Sequence, residues 1–350
     1  MCGITRRDAR VPVPRRFAAA FINKKFKFME IITCPSADMI CDVVRIIFEH
    51  LSEAEFAIRK KLIFDLVESN AIQPDGIFVA LDDGVVVGGL ISQFRPDGFV
   101  MIWHPAMSGN YSMAPFFERL DIYAKSLNAP AIILMTDNNQ PVNEPVIMSC
   151  GFLYLSDMLM LAAKSGDVTD SKNTANIDVP PKNIITKFEQ YAIDKSYDLA
   201  VRRDEFERLM KLTYKNTADF PRLNMITPVE SILDEYQQQN LFCPDLWFFI
   251  RGKITKETVD QKTDDAYIGV LLLSDAGAEQ MELTYMGLVE QYRGFGLADE
   301  IIKFAKLTSA KRGRNFITTA VDEQNSPALR AYIKQGFAAW DRKKVYAKFL

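Results

Sequence analysis

The chain has 350 residues, of which 48% are hydrophobic and 25% charged, a composition typical of a folded globular protein rather than a disordered or disulfide-stapled one. The length favours two domains. The sequence contains no run of about 18 apolar residues, the length that a membrane-spanning helix needs. The five cysteines are scattered without a Cys-x-x-Cys pair, and only two histidines are present. We therefore expect no metal site, and a reducing compartment, the cytoplasm.

The net charge of −3 conceals an uneven distribution. Residues 1–28 carry eight Lys or Arg against one acid, whereas the remaining chain holds 34 basic and 44 acidic residues. An acidic body of this kind is a poor partner for nucleic acid. The basic segment fits a targeting sequence, an anion-binding arm or a disordered extension before a domain that begins at Met29, and we favour the extension.

The spacing of apolar residues predicts alternating helices and strands in the first half. Asp83-Gly84 between two β-branched runs is typical of a hairpin turn. The predicted elements are helices over 39–51, 53–69 and 116–127 and strands over 77–81, 85–94, 99–103, 131–136 and 153–162.

A polar stretch that ends in Pro180-Pro181 divides the chain near its middle. We therefore predict an extension over 1–28, a domain over 29–164, a linker over 165–183 and a second domain over 184–350. The second half repeats the order of the first, with predicted helices over 204–214, 229–239, 297–312 and 327–335 and strands over 246–250, 266–273, 281–289, 316–321 and 344–350.

A glycine loop stands between a predicted strand and a predicted helix of the second half. Its pattern is Gln291-x-x-Gly294-x-Gly296, and Arg293 lies within it. Glycines allow positive φ, so that successive amides can point into one concavity at the start of the helix. This arrangement suits an anion such as a pyrophosphate, and Arg293 would add a cation. The loop lacks the third glycine of a dinucleotide fingerprint and the Gly-Lys-Ser/Thr of a P-loop.

A second motif follows downstream, with the pattern Asn325-x-x-Ala328-x-x-x-Tyr332-x-x-x-Gly336-Phe337. With both motifs in this order, the sequence over about 266–340 resembles the GNAT superfamily of acyl-CoA-dependent N-acetyltransferases. The resemblance implies a mixed α/β fold of two tandem GNAT-like domains. Each would be a mostly antiparallel mixed sheet with a splayed parallel strand pair, flanked by helices. It also implies acetyl-CoA as cosubstrate, without a metal.

The same resemblance assigns roles to residues of the second half. Main-chain groups near Leu288 and Val289 would pair with pantetheine, and Asn325 would bind CoA or fix the turn. Tyr332 would donate a proton to the leaving thiolate. The pyrophosphate would lie among Gln291, Arg293, Gly294, Phe295, Gly296 and Leu297.

The general base is less clearly indicated by the sequence. Glu282 on the strand before the loop is the first candidate, and Asp322 and Glu323 are the alternatives. No histidine lies beyond His104 and no cysteine lies near the motifs, so we expect direct attack in a ternary complex rather than an acyl-enzyme.

When the Gly-Phe dipeptides of the two halves are aligned, Gly151 corresponds to Gly336 and Gly109 corresponds to Gly294. At the same offset Tyr111 replaces Gly296 and Ile147 replaces Tyr332. We therefore interpret the first half as a degenerate copy without chemistry, which completes the substrate cleft or mimics a dimer partner.

The favoured function is acetyl transfer to an amine of a small molecule or peptide, without nucleic-acid or membrane partners, in a monomer or homodimer. Three alternatives stay open. One is a non-catalytic acyl-CoA-binding or scaffold protein. The second is an acetyltransferase similar to the tandem mycothiol synthases. The third is a tandem transferase that uses aminoacyl-tRNA, which the acidic body disfavours.

Overall fold

The structure is a computed structural model. It describes residues 29–109, 111–137, 142–167, 184–190, 199–238, 243–254 and 265–350. The extension predicted over 1–28 and most of the linker predicted over 165–183 lie outside these residues.

The first half alternates strands and helices, much as the periodicity predicts. Its elements are β1 (Glu30–Thr33), α1 (Ala37–Ile47), α2 (Glu53–Glu68), β2 (Ile77–Asp82), β3 (Val85–Phe94), β4 (Val100–Ile102), β5 (Ala106–Met107), α3 (Ala114–Ser126), β6 (Ala131–Asp137), α4 (Glu144–Ser149) and β7 (Leu153–Lys164). Helix α2 begins with a capping box in which the side chains of Ser52 and Glu55 each accept the other's main-chain N–H. Asp83 and Gly84 both have positive φ, as the tight β2–β3 turn requires.

The second half repeats this order. Its elements are β8 (Ile184–Gln190), α5 (Leu199–Tyr214), α6 (Pro221–Asn224), α7 (Val229–Gln238), β9 (Trp247–Ile254), β10 (Asp265–Asp275), β11 (Gln280–Leu288), α8 (Leu297–Lys311), β12 (Phe316–Asp322), α9 (Ser326–Lys334) and β13 (Ala338–Phe349). Helix α8 ends just before Gly313, whose φ of 72° reverses the chain. The elements β1, β5, α4, α6 and β8 are additions to the predicted set.

One continuous sheet contains the strands of both halves. The strand order is β1-β2-β3-β4-β6-β13-β7-β12-β11-β10-β9-β8, and β5 pairs with β3. Among the described strands, β4 with β6 and β11 with β12 are the parallel neighbours, and the other pairs are antiparallel. The predicted fold class, two tandem units with a mostly antiparallel mixed sheet and helices, is confirmed.

The helices cover the sheet on both faces. In the second half, side chains of α8 and α9 share one apolar core with β9–β12, and those of α5 and α7 share another core with the alternate side chains of β9 and β10. The first half is built in the same way, with α3 and α4 on one face and α1 and α2 on the other.

The last strands of the two halves are exchanged. Strand β7 of the first half pairs with β12, and its Leu159 and Leu161 lie in the core of the second half. Strand β13 of the second half pairs with β6, and its fully buried Tyr346 lies in the core of the first half. The Tyr346 hydroxyl donates a 2.9 Å hydrogen bond to Glu144 on α4. Each half therefore completes the core of the other, a feature that the sequence analysis did not predict.

Candidate active site

A gap opens in the sheet between β11 and β12. These parallel strands pair only over three positions, the last of which joins Glu282 to Thr318. Beyond this position both strands continue, but they no longer pair with each other. Thr319 Oγ1 donates a 2.9 Å hydrogen bond to the Leu283 carbonyl at the point of divergence. The β10–β11 register shifts beside this point and leaves Thr284 as an extra residue, a bulge that turns β11 away from β12.

The glycine loop lies at the far end of β11, where α8 begins. Gly294 and Gly296 have φ of 83° and 75°, and Gly296 is the N-cap of α8. No atom lies within 4 Å of the position that a Gly294 Cβ would occupy. Within the described part of the chain, the N–H groups of residues 294–297 donate to no main-chain carbonyl. The loop therefore presents open amides at a helix N-terminus, which fits a pyrophosphate.

The Arg293 side chain binds main-chain carbonyls. Its guanidinium donates to Leu288 O at 2.9 Å, Asn216 O at 2.9 Å and Thr213 O at 2.7 Å. These bonds join the end of β11 to the C-terminal end of α5. The arginine therefore has a structural function here, and the cationic function beside a pyrophosphate stays a prediction.

The other predicted CoA-binding residues surround the same loop. Leu288 is the last residue of β11, and the Val289 N–H donates to Ile268 O at 2.8 Å. Gln291 is exposed, whereas the side chains of Phe295 and Leu297 pack against the core beneath α8. The fold thus brings these residues together at one end of the gap.

Tyr332 approaches the gap from α9. Its side chain is buried, with the ring centroid 5.3 Å from that of Phe337. The hydroxyl lies beside the side chain of Thr319, the residue at which β11 and β12 separate. Burial raises the pKa of Tyr332 to about 12. The phenol therefore stays protonated at neutral pH and is a competent proton donor.

Glu282 lies on the opposite face of β11. Met281 and Leu283 point into the core beneath α8, so Glu282 points toward the face covered by α5 and α7. No hydrogen bond or ion pair joins its carboxylate to another described residue. Burial raises the pKa of Glu282 above its ordinary value of 4.5. A carboxylate with these properties suits a general base.

The face on which Glu282 lies is open above β12. Ala320 is exposed although its strand lies in the middle of the sheet. Strand alternation places Ala320 on the same face as Thr318, the partner of Glu282. An acceptor can therefore reach the gap from this face, while Tyr332 approaches from the other.

Two carboxylates meet at the end of β12. Their proximity was not predicted from the sequence. Asp322, which is 2% exposed, accepts the Phe220 N–H at 2.9 Å, and its own N–H donates to Asp219 Oδ1 at 3.1 Å. The Asn325 side chain lies beside Asp219, and burial raises the pKa of Asp219. Phe220 has a φ of 37°, a conformation rare for an aromatic residue. Asp219 follows a helix without any motif, so the sequence offered no signal for it.

Asn325 fixes the turn into α9, one of the two functions predicted for it. Its Oδ1 accepts the Ala328 N–H at 3.3 Å, a helix N-cap. The alternative base Glu323 binds Arg342, with a shortest distance of 2.8 Å. Tyr285 packs against α5, where its hydroxyl lies 2.9 Å from Thr213 Oγ1.

The corresponding region of the first half is closed. The Tyr111 hydroxyl donates a 2.5 Å hydrogen bond to Asp82, which places a carboxylate beside the loop. Ser112 Oγ accepts the Ala114 N–H, and Pro115 in the first turn of α3 has no N–H. The Asp82 carboxylate beside this helix start opposes the binding of an anion.

Other features of the described residues define no second site. Among the residues that the structure describes, no three His, Cys, Asp or Glu side chains meet as metal ligands would. In the same part of the chain, no helix has the length and apolarity to span a membrane. A surface pocket between β1 and α3 lies at the opposite end of the sheet from β11; it is lined by Met29, Ile31, Pro115, Glu118, Arg119 and Ile122.

The sequence itself matches a known family. Residues 229–337, which include α7, the glycine loop and α9, match the acetyltransferase (GNAT) family. This match covers 109 of the 350 residues, all of them in the second half of the chain.

Particular relatives are more distant. A mycothiol acetyltransferase from Corynebacterium efficiens is 31% identical over 84 residues, which cover 24% of this chain and 28% of that protein. The chain therefore matches little more than a quarter of this relative's length.

Two solved structures resemble the chain over nearly its whole length. A GCN5-related N-acetyltransferase from Sphaerobacter thermophilus has a TM-score of 0.54 and 13% identity, over 92% of this chain and 95% of that one. A GCN5-related glucosamine N-acetyltransferase region in a fungal multi-domain β-N-acetylglucosaminidase has a TM-score of 0.56 and 14% identity, over 91% of this chain and 38% of that one. At these identities the likeness concerns the fold alone.

Proposed function

We propose that the protein transfers an acetyl group from acetyl-CoA to an amine, by direct attack in a ternary complex at the gap between β11 and β12. The observation that carries this proposal is the separation of the two strands after Glu282 and Thr318, with open amides at one end and the Tyr332 hydroxyl at the point of divergence. The GNAT family match over 229–337 supports the same reaction class.

Pantetheine would lie along the unpaired edge of β11, near Leu288 and Val289, with its pyrophosphate on the amides around Gly294. The thioester would then reach the bulge at Thr284. Main-chain N–H groups of β11 that no longer pair with β12 are the donors that we propose for the developing oxyanion.

The proton transfers follow from the two faces of the gap. The acceptor nitrogen, approaching over Ala320, forms the new C–N bond as the C–S bond breaks. Glu282 takes the proton that the amine loses, directly or through a water. Tyr332 gives its proton to the thiolate sulfur. Acid and base thus approach the reacting carbon from opposite faces of the sheet.

The acceptor is an amine of a small molecule or a peptide. The names of two similar proteins mention mycothiol and glucosamine, and glucosamine therefore belongs among the amines to be tested. We further propose a cytoplasmic protein that acts as a monomer or homodimer and requires no metal.

Calorimetry of acetyl-CoA binding, followed by release of free thiol in the presence of amines, tests the proposal. We suggest glucosamine, benzylamine, putrescine, lysine and a tripeptide with a free N-terminus. The expected result is binding of acetyl-CoA and thiol release above the hydrolysis rate with at least one amine, whose N-acetyl product mass spectrometry detects.

The alternatives give different results. Binding of acetyl-CoA without thiol release from any amine would favour the non-catalytic acyl-CoA-binding protein. Absence of acetyl-CoA binding would overturn the assignment of the glycine loop.

A further inference from the structure

A hydrogen bond joins the first half of the chain to the end of β12. Ser156 lies on β7, the strand that the first half contributes to the sheet of the second. Its hydroxyl donates to Asp322 Oδ1 at 2.5 Å, and both residues are 2% exposed. A hydrogen bond to a buried carboxylate is short and strong compared with one between neutral groups.

The next link connects Asp322 to the loop after α5. Asp322 accepts the Phe220 N–H and donates its own N–H to Asp219, at 2.9 and 3.1 Å. The strand end and the loop thus hold each other in both directions. Phe220 keeps its left-handed conformation, with φ of 37°, between these two bonds. Such a conformation persists only where surrounding contacts enforce it.

The last link reaches the helix that carries Tyr332. The Asn325 N–H donates to the Asp322 carbonyl at 2.8 Å, and the Asn325 side chain lies beside Asp219. Asn325 in turn caps α9 by accepting the Ala328 N–H at 3.3 Å. Tyr332 lies one helical turn beyond Ala328. The Ser156 network, defined here as Ser156, Asp322, Asp219 and Asn325, therefore extends from the first half to the helix of the proton donor.

We propose that Ser156 is a positioning residue for the acyl transfer, through which the first half sets the position of Tyr332 in the second. This inference rests on the proposed function. Without the Ser156 hydroxyl, Asp322 Oδ1 keeps the Gln324 N–H at 2.9 Å as its donor, and the strand end can shift relative to α9. A shift of about 1 Å at a reacting group can slow the chemical step about 100-fold. The glycine loop lies outside the network, so acetyl-CoA binding is unaffected.

The test compares Ser156→Ala with Ser165→Ala in the full chain. Ser165 follows the same strand and also forms a short hydrogen bond, 2.7 Å to Ser309 on α8, but this bond lies outside the network. With acetyl-CoA and the amines named above, we expect Ser156→Ala to lower kcat about tenfold, since misplacement of a reacting group slows chemistry. The KM for acetyl-CoA should stay within about twofold of wild type, because uniform binding is unaltered. Ser165→Ala should change neither, and Ser156→Thr, which restores the hydroxyl, should recover most of the rate.

Hydrogen exchange provides a readout that needs no acceptor. Ser156→Ala should accelerate amide exchange over residues 217–224 and 322–332, and Ser165→Ala should not. If Ser156→Ala does not fold, Asp219→Asn tests the network from its other end and should show the same loss of kcat with unchanged KM for acetyl-CoA. The double variant Ser156→Ala/Asp219→Asn should lose no more than Asp219→Asn alone, because coupled residues act non-additively.

Three results would overturn the proposal. One is a wild-type kcat in Ser156→Ala despite faster exchange over 322–332. Another is an equal loss of kcat in Ser165→Ala. The third is a wild-type protein that releases thiol with none of the amines, which would remove the proposed function and this role with it, while the exchange pattern still reports whether the network exists.

Discussion

The gap between β11 and β12 and the corresponding place between β4 and β6 occupy the same position in the two halves. In the second half the last paired position joins Glu282 to Thr318, whereas in the first half it joins Ile102 to Leu134. Ile102 and Leu134 lie on the face covered by α3 and α4. On the opposite face, which corresponds to that of Glu282 and Thr318, the first half carries the apolar pair Met101 and Ile133. The same face of the parallel strand pair thus carries polar side chains in the second half and apolar side chains in the first.

The loops and helices beyond these strands differ in the same sense. Gly296 opens the start of α8, and the Tyr111 hydroxyl near the start of α3 binds Asp82 instead. Tyr332 and Ile147 are both buried in equivalent cores, at 5% and 1% exposure. An apolar side chain satisfies the packing as well as tyrosine does, so the fold persists without the hydroxyl. The comparison shows that core packing can preserve the fold where polar groups are missing. The open amides and the few hydroxyl and carboxyl groups of the second half are the groups that we propose for the chemistry.

The largest expected effect concerns the proton donor. Tyr332→Phe should lower kcat about 100-fold or more, the usual contribution of a positioned general acid. Its affinity for acetyl-CoA should be unchanged, since the ring still packs against Phe337. Stopped-flow detection of free thiol and calorimetry measure the two quantities.

The matched control is Ile147→Val in the first half. It should leave kcat unchanged and lower the free energy of unfolding by about 1 kcal/mol, the usual cost of one buried methylene group. Full turnover by Tyr332→Phe would remove the acid role.

The next effect concerns the anion site. Gly294→Glu should weaken acetyl-CoA binding about 100-fold, because loss of charge-assisted hydrogen bonds costs roughly 1.5–3 kcal/mol and a carboxylate would add repulsion. Gly109→Glu introduces the same residue at the aligned position, where φ is also positive, at 91° against 83°. We expect it to leave binding unchanged.

Calorimetric stoichiometry checks the same contrast. We expect one acetyl-CoA per chain, because the Asp82 carboxylate lies beside the start of α3 and repels an anion. Two binding events, or equal losses in Gly109→Glu and Gly294→Glu, would show that the first half has kept its anion site.

A smaller effect concerns the base. Glu282→Gln should lower kcat about tenfold, less than a positioned base usually contributes, because water can take part of its role. The wild-type rate should rise with pH through the Glu282 pKa, which burial raises above 4.5, and the variant should lack this acid limb. A pH profile of kcat/KM with acetyl-CoA and the best amine measures this rise in rate. If the rise is unchanged in Glu282→Gln, the base is Asp322, Glu323 or Asp219 instead.

The pH dependence of the free energy of unfolding tests the direction of the Glu282 pKa shift. Because the folded pKa lies above the unfolded one, the unfolded state releases its proton first, and the wild-type free energy of unfolding should fall as pH rises through this interval. Urea denaturation from pH 4 upward should show a shallower fall in Glu282→Gln. An equal fall in both proteins would contradict the raised pKa.

The smallest effect concerns the arginine of the glycine loop. Arg293→Met removes three donors to carbonyls and should lower the free energy of unfolding by about 2 kcal/mol. Ser108→Ala at the aligned position removes the 3.0 Å bond to Val87 O and should cost about 1 kcal/mol. Wild-type stability in Arg293→Met together with weaker acetyl-CoA binding would instead show that its charge serves the pyrophosphate.

Local patterns in the sequence predicted much of the fold and the centre of the candidate site. Apolar periodicity and turn residues depend on neighbours within a few positions, so the order of strands and helices, the glycine loop and the helix of Tyr332 could all be inferred. The duplication could be inferred as well, although a constant offset pairs Asn325 with Gln140, which lies outside the described residues. In the structure the residue that caps α4 is Asn143, because the helix starts of the two halves do not keep that offset.

The tertiary structure alone decided how the two halves are joined. Strand β7 alternates between buried and half-buried residues over its second half, whereas Val345, Tyr346 and Ala347 of β13 are all buried. Neither pattern specifies which neighbour a strand pairs with. Their exchange, and the meeting of Ser156, Asp322 and Asp219 that follows from it, depend on contacts between residues far apart in the chain. The sequence by itself determined two similar halves, of which the second carries the intact set of motifs. Only long-range strand pairing decided that the first half borders the candidate site of the second.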